Sequence, residues 1–201
     1  MRDIVLRMGL LEEFNEEETQ EVLERLLETW VQINEIWWRA HPEAPPLYTW
    51  GVNYEREAKG TPETWVCAPM IRRQKYHIDC DDWAPARAGE LRARLDEPAR
   101  VILPMRKVRG ADGKIKRLYH VQVERADGRI EDPSKVLGMG LELPSDPDER
   151  RAAIVLRLAD SGHQRTRDLI LGFDAQARAG DPAAEKFMRL LARVARRERD
   201  A

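Results

Sequence analysis

An α+β fold carrying a C-terminal helical appendage is what this sequence predicts, and three observations predict it. A helix-like segment at 84–95 is followed by extended segments at 101–108, 116–125 and 129–131, each closed by turn residues, the pattern of a helix backed by successive antiparallel strands. A long segment, 16–40, repeats apolar residues at helical spacing. From Pro144 the composition shifts to three charged, helix-like segments, which places a division between a domain at 1–143 and a helical module at 144–201.

Taken in order, residues 1–8 alternate as a short strand and 9–15 turn toward a helix. Asn15 and Glu18 have the spacing of a reciprocal cap ahead of 16–40, where Val22, Leu26, Trp30, Ile33 and Trp37 mark the expected buried stripe. Pro42, Pro45 and Pro46 end that helix, and 47–57 reads as an extended loop anchored by Tyr48, Trp50 and Tyr54. Residues 101–108 form one strand, Gly110 to Gly113 a turn, and 116–125 a second strand. Ala126-Asp127-Gly128-Arg129 is a hairpin turn, 129–131 a third strand, and Asp132-Pro133 its stop. In the C-terminal part 149–160, 164–179 and 182–199 read as helices, with Pro182 at the first-turn position. Arg189, Arg193, Arg196, Arg197 and Arg199 gather toward the end of the last one, where cations suit the helix dipole.

The 201 residues suffice for one self-sufficient core with its appendage. Basic residues number 34 against 36 acidic, so no whole-chain nucleic-acid footprint exists and nucleic acid is not an expected partner. No apolar run approaches the ~20 residues needed to span a bilayer, and residues 1–7 lack the apolar core of a signal peptide. The expectation is a protein of the cytoplasm, or a component of a virus particle, without membrane association.

The chemistry-bearing residues come in a definite order. Cys80 stands in Ile78-Asp79-Cys80-Asp81-Asp82-Trp83 at the start of the helix-like segment, His120 follows in Tyr119-His120-Val121, and Asp132 ends the third strand. A thiol becomes a nucleophile near neutral pH when a helix N-terminus and a neighbouring imidazolium stabilise its thiolate, and Cys80 is placed to receive both. Asp79 serves as N-cap, while Asp81 and Asp82 fall in the first turn; these carboxylates oppose a thiolate, so His120 must supply most of the activation. Strand alternation puts Leu118, His120, Gln122 and Glu124 on one face, and a hairpin of this length returns Asp132 near His120 to orient its ring. Most free cysteines are small buried hydrophobes; the context of His120 is what points to chemistry here.

These residues resemble the transglutaminase-like branch of papain-like cysteine enzymes, which show a D-C-x-D/E motif opening a helix, then an H-V strand, then a strand ending in D-P. Together with Pro45-Pro46-Leu47-Tyr48, Gly51-Val52-Asn53-Tyr54-Glu55, Glu63-Thr64-Trp65, Ala88-Gly89-Glu90-Leu91-Arg92 and Leu137-Gly138-Met139, the pattern is similar to transglutaminase-like proteins encoded by tailed phages and prophages. The resemblance covers roughly residues 1–139. It implies a core in which the Cys-bearing helix packs on an antiparallel sheet, with Cys80 as nucleophile, His120 as general base and Asp132 as orienting acid. It further implies acyl transfer on a protein or peptide substrate, or, as the alternative, a phage structural or assembly protein that keeps the fold as a scaffold and associates through its C-terminal helices. Relatives place glycine ahead of the Asp-Cys pair where this chain has Ile78, and Pro85 interrupts a segment that is alanine-rich elsewhere.

An oxyanion hole would use the Cys80 N–H and one side-chain donor, for which Gln74 and Trp65 are the candidates. Tyr48, Trp50 and Tyr54 are candidates for lining a substrate groove. His77, Cys80, Asp81 and Cys67 invite a metal reading, but zinc sites need paired short spacings and Cys67 to Cys80 offers one long gap; no metal and no cofactor is expected. His77 precedes the thiol in its own loop, a poorer position for a base than that of His120.

Overall fold

Asn15 opens the first helix with a reciprocal cap. Its Oδ1 accepts from the Glu17 and Glu18 N–H groups, both at 3.0 Å, and its own N–H donates to Glu18 Oε2 at 2.9 Å. In this computed structural model, which describes residues 5–8, 15–57, 63–73, 76–109, 113, 115–139, 144, 146–160 and 164–199, helix α1 runs Glu16–Ala40. Its buried face is Thr19, Leu23, Leu27, Trp30, Val31, Asn34 and Trp38. Of the expected stripe, Trp30 lies on that face, while Val22, Leu26, Ile33 and Trp37 form only its half-buried flank. The apolar surface of α1 is wide enough to hold two adjacent rows, and packing against α3 (Cys80–Leu95) selects the row with Leu23, Leu27 and Val31.

Strand β1 (Val5–Met8), ahead of α1, pairs antiparallel with β2 (Glu63–Val66), and α2 (Ala68–Arg73) follows β2. A 3₁₀ turn at Leu47–Thr49 starts the segment that the sequence presents as a loop. Buried side chains of α1 hold the 66–68 backbone: Trp30 Nε1 donates to the Val66 carbonyl at 3.1 Å, and Asn34 Oδ1 accepts the Ala68 N–H at 2.6 Å. Asn34 also returns a bond to the Trp30 carbonyl at 2.8 Å, so its amide is used on both ends inside the core.

Helix α3 is buried from Asp81 through Leu91 without interruption. Small residues make that possible: Ala84, Ala86, Ala88 and Gly89 let α1 approach, and a Cβ built on Gly89 would lie 2.7 Å from the Glu35 backbone nitrogen and 2.8 Å from Asn34 Cβ.

The strands differ from the sequence pattern. Residues 101–108 are not one strand but two, β3 (Arg100–Ile102) and β4 (Met105–Arg109), and 116–125 likewise divides into β5 (Ile115–Tyr119) and β6 (Gln122–Glu124). With Ile102 opposite Gln122 and Met105 opposite Tyr119, the breaks at 103–104 and 120–121 face each other. Pro104 has no N–H to give a ladder, and its carbonyl accepts the His120 N–H at 3.1 Å. The outer hairpin β4–β5 thus separates from the sheet β3–β6–β7, in which β7 is Ile130–Glu131. The Gly128 turn returns β7 to β6, closed by the Arg125 N–H to the Arg129 carbonyl at 2.9 Å. The architecture is α+β with small antiparallel sheets, β6 packing on α3.

The chain divides into two compact units, Met1–Ser134 and Lys135–Ala201, where composition places the division at 143/144; Asp132-Pro133 leads into a short helix α4 (Pro133–Val136). In the second unit α5 (Pro147–Asp160), α6 (Gln164–Arg178) and α7 (Pro182–Arg199) share a core of Ala152, Ala153, Leu191 and Val194, with Phe173 against Phe187 at 4.6 Å between ring centroids. Asp181 caps α7 through the Ala183 and Ala184 N–H groups. The arginines of α7 are partly neutralised, Arg193 and Arg197 by Glu149 and Arg189 by Glu185. Among the described residues no helix is long and apolar enough to cross a membrane.

Gly89→Ala tests the helix contact by sign. In an ordinary helix the change stabilises by about 0.5–1 kcal/mol; against the Glu35 backbone it should cost about 1–3 kcal/mol, as overpacking does. A lowered urea midpoint is the expected result, and an unchanged or raised one would remove the close approach from the account.

Candidate functional site

Cys80 is the first residue of α3 and is half-buried; neither it nor the buried Cys67 forms a disulfide. The helix start is held by Asp82, whose Oδ1 accepts the Val66 N–H at 2.6 Å and whose Oδ2 accepts the Asp79 N–H at 3.1 Å, while Asp79 accepts from the Asp81 N–H at 3.4 Å. Ile78 is buried and its carbonyl accepts the Glu55 N–H at 2.8 Å, so it serves as an apolar anchor for the approach to the cap. Pro85 lies beyond the first turn of α3 and leaves the Asp81 carbonyl without its i+4 donor.

Burial holds the Asp81 carboxyl well above the usual carboxylate range, reinforced by the charges of Asp82 and Asp79. Burial pushes Asp82 up as well, against the pull of its two backbone N–H donors. Asp81 Oδ1 has no hydrogen-bond partner among the described residues. Carboxylate oxygens of Asp79, Asp81 and Asp82 lie within 4.8 Å of one another, a donor set of the kind that holds a cation. The bonds of Asp79 and Asp82 to backbone N–H groups, and the place of all three at the positive end of the α3 dipole, are the features of a helix cap.

His120 stands in the gap between β5 and β6 rather than on a strand, and a quarter of its side chain is exposed. Its Nε2 lies 2.8 Å from Asp132 Oδ2. A carboxylate only accepts, so Nε2 carries the hydrogen and the neutral ring keeps its lone pair on Nδ1, the state required of a base. Gln122 Nε2 donates to the same Asp132 oxygen at 3.1 Å. Sequence reasoning gave Gln122 no role, although its place two residues after His120 was the available signal.

The other expected site residues fall in different places. Tyr48 is buried, not groove-lining, because its hydroxyl donates to Glu131 Oε1 at 2.5 Å. Trp50 stacks on Trp38 at 5.3 Å and donates its indole N–H to the Pro45 carbonyl at 2.8 Å, which pins the loop to the α1 end. Tyr54 is the one of the three whose phenol senses the site: burial raises its pKa, and so do the neighbouring charges of Asp79 and Cys80. Trp65 is buried and its indole N–H has no acceptor among the described residues. Gln74 lies outside the described residues. His77 pairs with Glu55 at 3.1 Å, both well exposed.

Below the helix start runs a buried polar network that sequence reasoning missed. Arg87 Nε donates to Glu131 Oε1 and Arg87 Nη1 to Glu90 Oε2, both at 2.7 Å. Arg125 Nη1 reaches Glu131 Oε2 at 3.1 Å and is tied through Nε to Glu97 at 2.8 Å. Glu90 Oε1 accepts the Leu47 N–H at 3.0 Å. Burial acts to raise the Glu131 carboxyl, but Arg87, Tyr48 and Arg125 outweigh it and hold it below the usual range. Compared with known proteins, the chain matches no family model, no curated protein and no solved structure.

The raised Asp81 carboxyl makes a pH-dependent prediction. A carboxyl that holds its proton more tightly when folded contributes stability below its unfolded value of about 3.9, and that contribution is lost as pH rises through the folded value. Asp81→Asn, whose amide can donate to Asp79 as the protonated acid would, should therefore raise Tm at pH 7–8 and leave it nearly unchanged at pH 3–4. Thermal melts showing an equal or larger gain at low pH would reverse this assignment.

Proposed function

We propose that this chain is a cysteine-dependent acyl-transfer enzyme of the transglutaminase-like kind, of phage or prophage origin, acting on an amide of a protein or peptide. The Cys80 thiolate attacks the amide carbon; His120 Nδ1, having taken the thiol proton, returns it to the departing amine; water or a second amine then resolves the thioester. Asp132 orients the ring through its contact with Nε2. The observation that carries this reading is the His120–Asp132 hydrogen bond of 2.8 Å, doubled on its acceptor by Gln122, on a sheet that packs against the helix opened by Cys80. Trp65, with its buried and unpartnered indole N–H, is the better supported of the two oxyanion donors. Action in the host cytoplasm or within a virion accords with the absence of a membrane-spanning helix among the described residues.

The competing reading is a virion structural or assembly protein that uses the fold as a scaffold. It draws on the carboxylates of Asp81 and Asp82 flanking Cys80, which oppose a thiolate, and on the exposed Leu169 and Leu171 of α6, which suit contacts between copies.

Alkylation of Cys80 by iodoacetamide across pH, followed peptide by peptide in a mass spectrometer, separates the two. Lowering a thiol pKa from ~8.5 to ~6.5 raises the thiolate fraction at pH 6.5 about fifty-fold, and lower intrinsic nucleophilicity takes back up to about tenfold. The expected result is thus a several-fold excess of alkylation at pH 6.5 that disappears in His120→Ala and shrinks in Asp132→Asn. An ordinary thiol profile, insensitive to His120, would leave the scaffold reading standing.

A further inference from the structure

We infer that Glu131, gripped by Arg87 and Tyr48, is a positioning residue that ties the helix of Cys80 to the strand end of Asp132; the inference rests on the Cys80–His120–Asp132 reading. Asp132 directly follows Glu131, and β7 is only two residues long, paired to β6 at Val123–Glu131 and Glu124–Ile130. So short a strand is a weak anchor for a group that must hold an imidazole in one orientation. The side chain of Glu131 supplies what the ladder lacks. Its Oε1 receives Arg87 Nε at 2.7 Å and the Tyr48 hydroxyl at 2.5 Å, and its Oε2 receives Arg125 Nη1 at 3.1 Å.

Arg87 is the link to the nucleophile. It lies on α3 seven residues after Cys80, about 10 Å further along the axis. Its guanidinium uses Nε on Glu131 and Nη1 on Glu90 and sits over the Tyr48 ring at 5.0 Å. Arg87, Glu131, Glu90 and Tyr48 are all less than a tenth exposed. A buried ion pair is poor evidence for stability alone, since its desolvation cost offsets most of the attraction. What a planar, forked donor does supply is a fixed distance and angle between two elements. Here those elements carry the thiol and the carboxylate.

Charge and position predict opposite signs for Glu131→Gln. Acting directly on the thiol, loss of an anion that leaves Arg87 less compensated would favour the thiolate and speed alkylation at low pH. Acting through Asp132, loosening the clamp would slow it. The expected outcome is a fall, by roughly threefold or more, in the ratio of Cys80 alkylation rates at pH 6.5 and pH 9, together with a shifted His120 titration by NMR. Tyr48→Phe keeps the ring under Arg87 and removes one hydrogen bond; it should lower the ratio in the same direction, by roughly twofold, and decides the matter if Glu131→Gln does not fold. In an Asp132→Asn background neither change should lower the ratio further. A lowered Tm with an unmoved ratio, a raised ratio, or an effect that persists without the Asp132 carboxylate would each overturn the inference. A wild-type protein without any low-pH reactivity overturns the triad reading itself, and the inference with it.

Discussion

The near-total burial of α3 is the constraint on which the rest of the first unit depends. From Asp81 to Leu91 no residue of that helix reaches the exposed surface, yet the segment contains two aspartates, an arginine and a glutamate. A helix can be enclosed on all sides only if its apolar residues are small enough for close approach and each polar group finds an internal partner. The first condition is met by Ala84, Ala86, Ala88 and Gly89. The second dictates most of the polar contacts nearby: Asp82 takes the Val66 N–H, Glu90 takes the Leu47 N–H and Arg87, and Arg87 takes Glu131. Asp81 Oδ1 and Trp83 Nε1 are the exceptions, with no partner among the described residues, and burial raises the Asp81 carboxyl well above the usual carboxylate range.

Enclosure also sets the electrostatic problem of Cys80. The dipole of α3 favours a thiolate, while Asp79, Asp81 and Asp82 disfavour it. Burial of the Asp81 carboxyl, which raises its pKa, weakens part of that opposition. In the proposed triad the remainder would fall to the His120 imidazole, which Asp132 orients while Gln122 donates to the same Asp132 oxygen. The bend at 103–104 and 120–121 lifts His120 out of the ladder, so that its ring is not committed to a strand face.

Two kinds of interaction account for what could be read ahead of the structure. Contacts closed within one turn were legible: the Asn15–Glu18 cap, Asp79 as the cap of α3 and the Gly128 hairpin turn depend on residues two or three apart. The His120–Asp132 pair belongs with them, because a tight hairpin converts a separation of twelve residues into adjacency. Phase and continuity were not legible. The buried row of α1 depends on which of two apolar rows meets α3, and the strand breaks depend on Pro104 facing His120 across a register that local propensity does not encode.

By itself the sequence determined the α+β class, the caps, the turns and the His120–Asp132 pairing, since each follows from backbone hydrogen bonding and periodicity over short spans. Only the tertiary structure decided that Tyr48 belongs to the core, that Gln122 shares the Asp132 oxygen, and that Arg87 and Tyr48 meet Glu131 across 44 and 83 residues. The physical reason is that a buried charge is satisfied by whatever opposite charge packing delivers to it, and which one arrives depends on how three distant segments close around α3.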